Sequence, residues 1–131
     1  VQSFDWRTLQ HVKRHHPALR TVCLTSESPG HDNVQRNAMT SPWTAPLHIS
    51  AFGGSVPRMV KACGAYAWSP AAEALDRRLL EEAHDLGLRV IVWTVNAAED
   101  MRRLIDWGVD GIISDDPDLL IGVAATRRKA P

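Results

Sequence analysis

The stretch from Leu88 to Leu120 constrains the fold of this chain most strongly, because its pattern predicts one complete strand–helix–strand unit. Residues 88–95 form a nearly continuous apolar run rich in β-branched side chains, which is typical of a strand covered on both faces. A second, shorter apolar run occupies residues 111–114. Two strands joined by a single helix must lie parallel, so the unit predicts a parallel sheet with helices packed against it.

The helix between these two strands is predicted at about residues 97–107. Asn96 precedes it as a candidate N-cap, and Glu99 stands three residues later, as in a capping box. Apolar residues then repeat at helical spacing, and Gly108 is well placed to end the helix in the left-handed conformation. We therefore expect Asn96 to cap the helix in preference to binding a ligand.

The same alternation of strands and helices extends upstream. Strands are predicted at residues 1–4, 20–25 and 65–68, and helices after Asp5, at residues 56–63 and at residues 76–86. Residues 26–54 form a long loop rich in Ser, Pro, Gly, Asn and His, and loops of this length usually carry function. Five strands alternating with helices predict an α/β fold with a parallel sheet.

Composition excludes several classes of partner. The chain is 44% hydrophobic and 23% charged, as in ordinary globular proteins, and its 15 basic and 15 acidic residues cancel. This balance of charges does not indicate binding to nucleic acid. No apolar run reaches the ~18 residues that a membrane span needs. Cys23 and Cys63 lack the spacing of a zinc site, and we interpret them as small buried hydrophobic residues.

Two segments of the 88–120 stretch resemble the C-terminal signature of the glycerophosphodiester phosphodiesterases. Residues 92–96 (VWTVN) and residues 108–117 (GVDGIISDDP) resemble the family patterns V-x-W-T-V-N and G-V-D-G-I-I-T-D-x-P. The visible departure is Ser114, where the family usually has Thr, and the hydroxyl is kept. Residues 3–5 (SFD) are similar to a motif at the fourth strand of the family's barrel.

The resemblance implies a TIM (β/α)8 barrel of the phospholipase-C-like phosphodiesterase type, with about the last five β/α units present. A complete barrel needs roughly 200 residues or more. We therefore expect residues 1–121 to be the C-terminal portion of such a domain and residues 122–131 to be a tail. A sheet with two open edges also predicts self-association through those edges.

The resemblance also implies hydrolysis of glycerophosphodiesters to an alcohol and sn-glycerol 3-phosphate. The family uses a divalent metal, calcium or magnesium, held by carboxylates, with two histidines as general acid and base. Those groups lie on the first three strands, in an H-R-G motif, an E-x-D motif and a later Glu, and none of these motifs occurs here. We therefore expect no catalytic residue and no metal ligand in this chain, and no activity from the isolated chain.

The active sites of TIM barrels lie at the C-terminal ends of their strands, and this rule indicates the candidate substrate-binding residues. The resemblance places Trp93 against the substrate, although the pattern alone equally allows an indole in the core beneath the helices. Phe4 and Ser3 match family positions near the substrate, with core packing as an equal alternative. Asn96 is a candidate as well as a cap. Trp43, in the long loop, is a candidate aromatic lid.

Other polar residues point to no further site. Asp115, Asp116 and Asp118 offer oxygen ligands for a hard cation, but we expect them to cap the next short helix. The six histidines show no partner spacing, and no Ser-His-Asp, phosphate-loop or H-E-x-x-H pattern is present. Two alternative functions remain open: a non-catalytic binding or assembly module, and another phosphate-handling barrel enzyme. We expect a cytoplasmic location, although the sequence begins without a methionine.

Overall fold

The computed structural model describes residues 1–128, with side chains through residue 126, and contains one sheet of five parallel strands. The strands lie in chain order, and each pairs with the next in parallel: β1 (Gln2–Ser3), β2 (Val22–Thr25), β3 (Ala67–Pro70), β4 (Arg89–Val92) and β5 (Gly111–Ile112). The predicted α/β fold with a parallel sheet is confirmed.

A helix follows every strand, as the alternating pattern predicts. The helices are α1 (Trp6–His15), α2 (Val56–Cys63), α3 (Arg77–Asp85), α4 (Ala98–Trp107) and α5 (Pro117–Arg128). Two 3-10 turns, Ile49–Phe52 and Ala72–Ala74, lie in the connections after β2 and β3. Within the described part of the chain, no helix is long and apolar enough to cross a bilayer.

One face of the sheet is covered by the helices, and the other face is partly exposed. Successive side chains of a strand point to opposite faces, and Val90 and Val92 are fully buried against the helices. Ile91 lies between them and is only half-buried, as are Val22 and Leu24 in β2. The hydrophobic core therefore lies between the sheet and its helices, as in a segment of a barrel wall.

The start of α4 corrects one sequence prediction. Its N-cap is Ala97, which makes no side-chain cap hydrogen bond, and the helix begins at Ala98. Asn96 therefore does not cap this helix, because its side chain is used one strand further on, in the loop after β5. The predicted helix end at Gly108 is confirmed, with φ of 89° in the left-handed region.

The last helix is longer than the sequence pattern indicates. The Asp116 carboxylate accepts a hydrogen bond from the Leu119 N–H at 3.0 Å, so this acidic residue caps α5 as expected. The helix then continues to Arg128 through part of the segment expected to be a tail, because Val123 is buried in the hydrophobic core. Residues 129–131 of that expected tail lie outside the described residues.

Candidate active-site wall

A cavity of about 980 Å³ opens at the carboxyl ends of the strands. Three aromatic side chains line it: Phe4 after β1, Trp43 in the long loop, and Trp93 after β4. Residues of the loop after β2 and Glu73 after β3 complete the lining. The cavity therefore lies where parallel α/β barrels bind their substrates.

Trp93 is held rigidly at the rim of this cavity. Its backbone extends the pairing of β3 and β4, with the Trp93 N–H donating to the Pro70 carbonyl at 3.1 Å. Its indole N–H donates to the Ser69 carbonyl at 2.9 Å. The ring meets Phe4 edge to face, with centroids 5.4 Å apart. The indole in the core beneath the helices is instead Trp68, which is almost fully buried.

The two candidates near β1 have different roles. Phe4 is 37% exposed, and its ring forms part of the cavity wall. Ser3 does not line the cavity, and its hydroxyl accepts a hydrogen bond from the Asp5 N–H at 3.0 Å. Ser3 therefore shapes the turn into α1, while Phe4 offers its surface to a ligand.

Asn96 connects the two motifs that carry the family resemblance. Its side-chain amide donates to the Asp115 carboxylate at 2.9 Å, and its side-chain oxygen accepts from the Asp115 N–H at 3.0 Å. The Ser114 hydroxyl donates to the same oxygen at 3.2 Å. Asn96 does not line the cavity, so in this structure it ties the loop after β4 to the loop after β5.

The model of the glycerophosphoryl diester phosphodiesterase family matches residues 1–119. The chain belongs to this family. A curated relative, a glycerophosphodiester phosphodiesterase from Caldanaerobacter subterraneus subsp. tengcongensis, is 29% identical over 94% of this chain and 41% of its own length. A Bacillus subtilis glycerophosphodiester phosphodiesterase is 29% identical over 91% of this chain and 34% of its own length.

A solved structure is also similar to nearly the whole chain. A Silicibacter pomeroyi protein, provisionally assigned as a glycerophosphoryl diester phosphodiesterase, superposes with a TM-score of 0.76 at 35% identity. That match covers 97% of this chain and 38% of the Silicibacter chain. The chain therefore spans less than half the length of the relatives that it matches, and its five-stranded sheet is a partial barrel.

Asn33 is a site residue of this phosphodiesterase-family chain that the sequence analysis missed. It is almost fully buried, and its side-chain amide donates to the carbonyls of Phe4 and Leu24, both at 3.0 Å. Its side-chain oxygen accepts from the Ser26 N–H at 2.9 Å. Asn33 thus fastens the long loop to the ends of β1 and β2, and it also lines the cavity.

The long loop also fixes the backbone of Trp43. The Trp43 carbonyl accepts a hydrogen bond from the Trp6 N–H at 2.7 Å, at the first residue of α1. The Ser41 hydroxyl donates to the Asn33 carbonyl at 2.7 Å and accepts from the Trp43 N–H at 3.3 Å. The Trp43 side chain remains 43% exposed and lines the cavity, so a ligand there can reach the ring.

The carboxylates in the cavity lining have no lysine or arginine beside them in that lining, within the described residues. They belong to Asp32 and Glu73. The Ser28 hydroxyl donates to the Glu73 carboxylate at 2.7 Å. This bond and a backbone hydrogen bond outweigh burial and lower the pKa of Glu73, which is therefore ionised at neutral pH. The described residues of this wall therefore offer no lysine or arginine to a phosphate group.

The residues present do not fit a divalent metal centre. Within residues 1–128, no group of three or more His, Cys, Asp or Glu side chains is placed to hold a metal ion. The acidic residues after β5 are already used, since Asp115 binds Asn96 and Asp116 caps α5. Among the described residues that line the cavity, His31 is the one histidine.

Proposed function

We propose that this chain supplies the substrate-facing wall of an enzyme that hydrolyses glycerophosphodiesters to an alcohol and sn-glycerol 3-phosphate. The observation that carries the proposal is the aromatic lining of the cavity at the strand ends. Phe4 and Trp93 belong to the two ends of the family resemblance, and the fold brings their rings into contact. Residues 1–121 would then be the C-terminal portion of the barrel domain.

The chemistry of the lining suggests which part of the substrate this wall contacts. Phe4 and Trp93 together present an apolar surface that suits the carbon face of a glyceryl group, and Trp43 adds a further aromatic ring to the lining. Fixing the substrate against rigid rings reduces the entropy that must be lost on the way to the transition state. The phosphate itself would face away from the carboxylates of this wall.

Groups outside residues 1–128 would carry the reaction itself. In the family, a divalent cation offsets phosphate charge and two histidines transfer protons. We propose that the ligands of this cation, calcium or magnesium, and both histidines belong to the first three strands of the barrel. An Oleispira antarctica phosphodiesterase, which matches this chain with a TM-score of 0.68 at 16% identity, was solved with the product sn-glycerol-3-phosphate. That complex supports the capacity of the fold to hold this product.

A chimeric barrel tests the proposal. Residues 1–119 replace the matching segment of the Caldanaerobacter relative, and release of sn-glycerol 3-phosphate from glycerophosphocholine is measured in parent and chimera. We expect the chimera to turn over the substrate, and Phe4→Ala or Trp93→Ala to lower its kcat/KM about tenfold, or about 1.4 kcal/mol of transition-state binding.

Tyr66→Ala provides the matched control. Tyr66 is 40% exposed, close to the value for Phe4, but it lies before β3 at the opposite end of the sheet. This variant should keep the kcat/KM of the chimera. A chimera that unfolds cooperatively yet lacks activity, or equal losses in all three variants, would contradict the proposed function.

The half-exposed sheet face favours a second candidate, an assembly module. β1 and β5 are the edge strands of the sheet, and unpaired edges favour association between chains. Sedimentation velocity over a range of chain concentrations tests this, with a monomer at all concentrations as the contrary result.

The expected small-molecule partner and the cytoplasmic location also remain proposals, and imaging of a fluorescent fusion would test the location.

A further inference from the structure

Helix α1 carries two histidines on the side that faces away from the hydrophobic core. Trp6 and Leu9 are the buried residues of this helix, and helical geometry puts His11 and His15 on the opposite side. Both histidines are exposed. No partner spacing was apparent among the histidines in the sequence, but a continuous helix turns a separation of four residues into a contact.

The imidazole rings of His11 and His15 lie against each other. Their centroids are 4.3 Å apart, and their planes are inclined by 37°. Two histidines with this spacing on one face of a helix can bind a single metal ion together. Because the two rings are already neighbours at exposed positions, rotation of the side chains is enough to direct one nitrogen of each ring toward a shared ion. Little ordering is then needed when the ion binds.

The charges around this pair determine which kind of ion it can take. His15 is the last residue of α1, so a bound cation would lie at the negative end of the helix dipole. Two nearby cations are engaged elsewhere, since Arg7 pairs with Asp5 at 2.6 Å and the Lys13 ammonium donates to a backbone carbonyl at 2.7 Å. The charge of Arg14, in the same turn, opposes a bound cation. The affinity must therefore come from coordination by imidazole nitrogen.

We propose that His11 and His15 form a two-histidine site for a divalent transition metal of the zinc, nickel and copper class. One ring nitrogen of each imidazole coordinates the ion, and water fills the remaining positions. Imidazole suits these metals, whereas Mg²⁺ and Ca²⁺ are bound mainly by oxygen ligands. Neither histidine lines the cavity. This inference does not depend on the proposed hydrolase function.

Titration of the full chain with Zn²⁺ alone tests the proposal, at a pH near 7.5 because a histidine binds metal in its neutral form. Calorimetry gives the stoichiometry and the affinity, and NMR of the imidazole signals locates the ion. We expect one Zn²⁺ per chain, with the largest shifts at His11 and His15. An excess of Mg²⁺ should not displace it.

Single substitutions separate the pair from the other histidines. His11→Ala or His15→Ala should weaken Zn²⁺ binding by about tenfold or more, because one imidazole alone cannot chelate. Both positions are exposed, so the melting temperature without metal should stay close to that of the unmodified chain. His16→Ala, at the exposed C-cap of α1, is the matched control and should leave the affinity unchanged.

Three outcomes would overturn the proposal. The first is the absence of saturable binding at millimolar Zn²⁺. The second is an equal loss of affinity in all three variants. The third is undiminished binding when both His11 and His15 are replaced by Ala, which would place the ion on other residues, such as the half-buried Cys63.

Discussion

Asp110 shows how much of this fold depends on single polar contacts. Its carboxylate accepts hydrogen bonds from the Arg89 guanidinium at 2.7 Å, from the Val90 N–H at 2.9 Å and from the His84 ring at 2.9 Å. Burial would raise the pKa of Asp110, but these bonds outweigh it, and the pKa is lowered. One side chain thus holds α3, β4 and the start of β5 together.

We predict that Asp110→Asn lowers the free energy of unfolding at pH 7 by about 1–2 kcal/mol, because most of these contacts favour the charged carboxylate. A lowered native pKa stabilises the fold above the unfolded pKa of about 3.9, and this contribution is lost as the pH falls through the native pKa. The difference between the two proteins should therefore shrink below about pH 4. Urea unfolding across this range measures it, and Asp85→Asn, an exposed change at the end of α3, is the control. A constant difference at all pH values would contradict the prediction.

Asn33 lines the cavity and anchors the long loop to the ends of β1 and β2. Asn33→Ala would leave the carbonyls of Phe4 and Leu24 and the Ser26 N–H without this partner in a buried region. We expect a loss of about 2–3 kcal/mol in the free energy of unfolding, measured by urea denaturation. Asn37→Ala, at an exposed position of the same loop, should change it by less than about 0.5 kcal/mol. Similar losses in both variants would show that the loop is not anchored through Asn33.

Sequence patterns predict some of these residues and not others. Trp93 could be found because it belongs to a motif, and its position at a strand end implies the rim of the barrel. Asn33 gave no signal, because its partners at Phe4 and Leu24 are close only in the folded chain. Asn96 was wrongly predicted as an N-cap, since the same local pattern fits a cap and a cross-strand bridge.

At the scale of elements, the order and type of all five strands and their helices could be predicted, whereas several boundaries could not. β4 ends at Val92 and β5 at Ile112, so both are shorter than their apolar runs. Apolar character reflects burial, and Val95 is buried without belonging to a strand. Helix α2 was predicted with its observed bounds, because Pro57 and Gly64 mark its two ends.

Helix α4 offers a direct test of the corrected boundary. Its N-cap residue, Ala97, is exposed, has extended backbone and makes no side-chain cap bond. We predict that Ala97→Ser raises the free energy of unfolding by about 0.5–1 kcal/mol, because a serine there can accept a hydrogen bond from the first turn. Ala98→Ser, one residue into the helix, should give no gain. Thermal or urea unfolding measures the effect of each variant. A gain in stability only for Ala98→Ser would contradict the assignment of residue 97 as the N-cap of α4.

At the scale of the whole molecule, the structure is a partial barrel. Helices cover the outer face of its sheet, and the inner face is partly exposed. The helices bury one face of the sheet, while Val22, Leu24 and Ile91 stay half-buried on the other. The chain also spans only 38% of the Silicibacter relative. Under the proposed function, the uncovered face would meet the strands that carry the metal ligands and the proton-transferring histidines.

The proposed function requires that the aromatic rim contacts the glyceryl part of the substrate. The most direct test is an NMR titration of the chimera with sn-glycerol 3-phosphate, in which only residues 1–119 carry nitrogen-15. We predict that the indole N–H signals of Trp43 and Trp93 move, while those of Trp6 and Trp68, buried in the core between the sheet and its helices, stay in place. Saturable shifts that spare Trp43 and Trp93, or no shifts in a chimera that is active, would contradict the account.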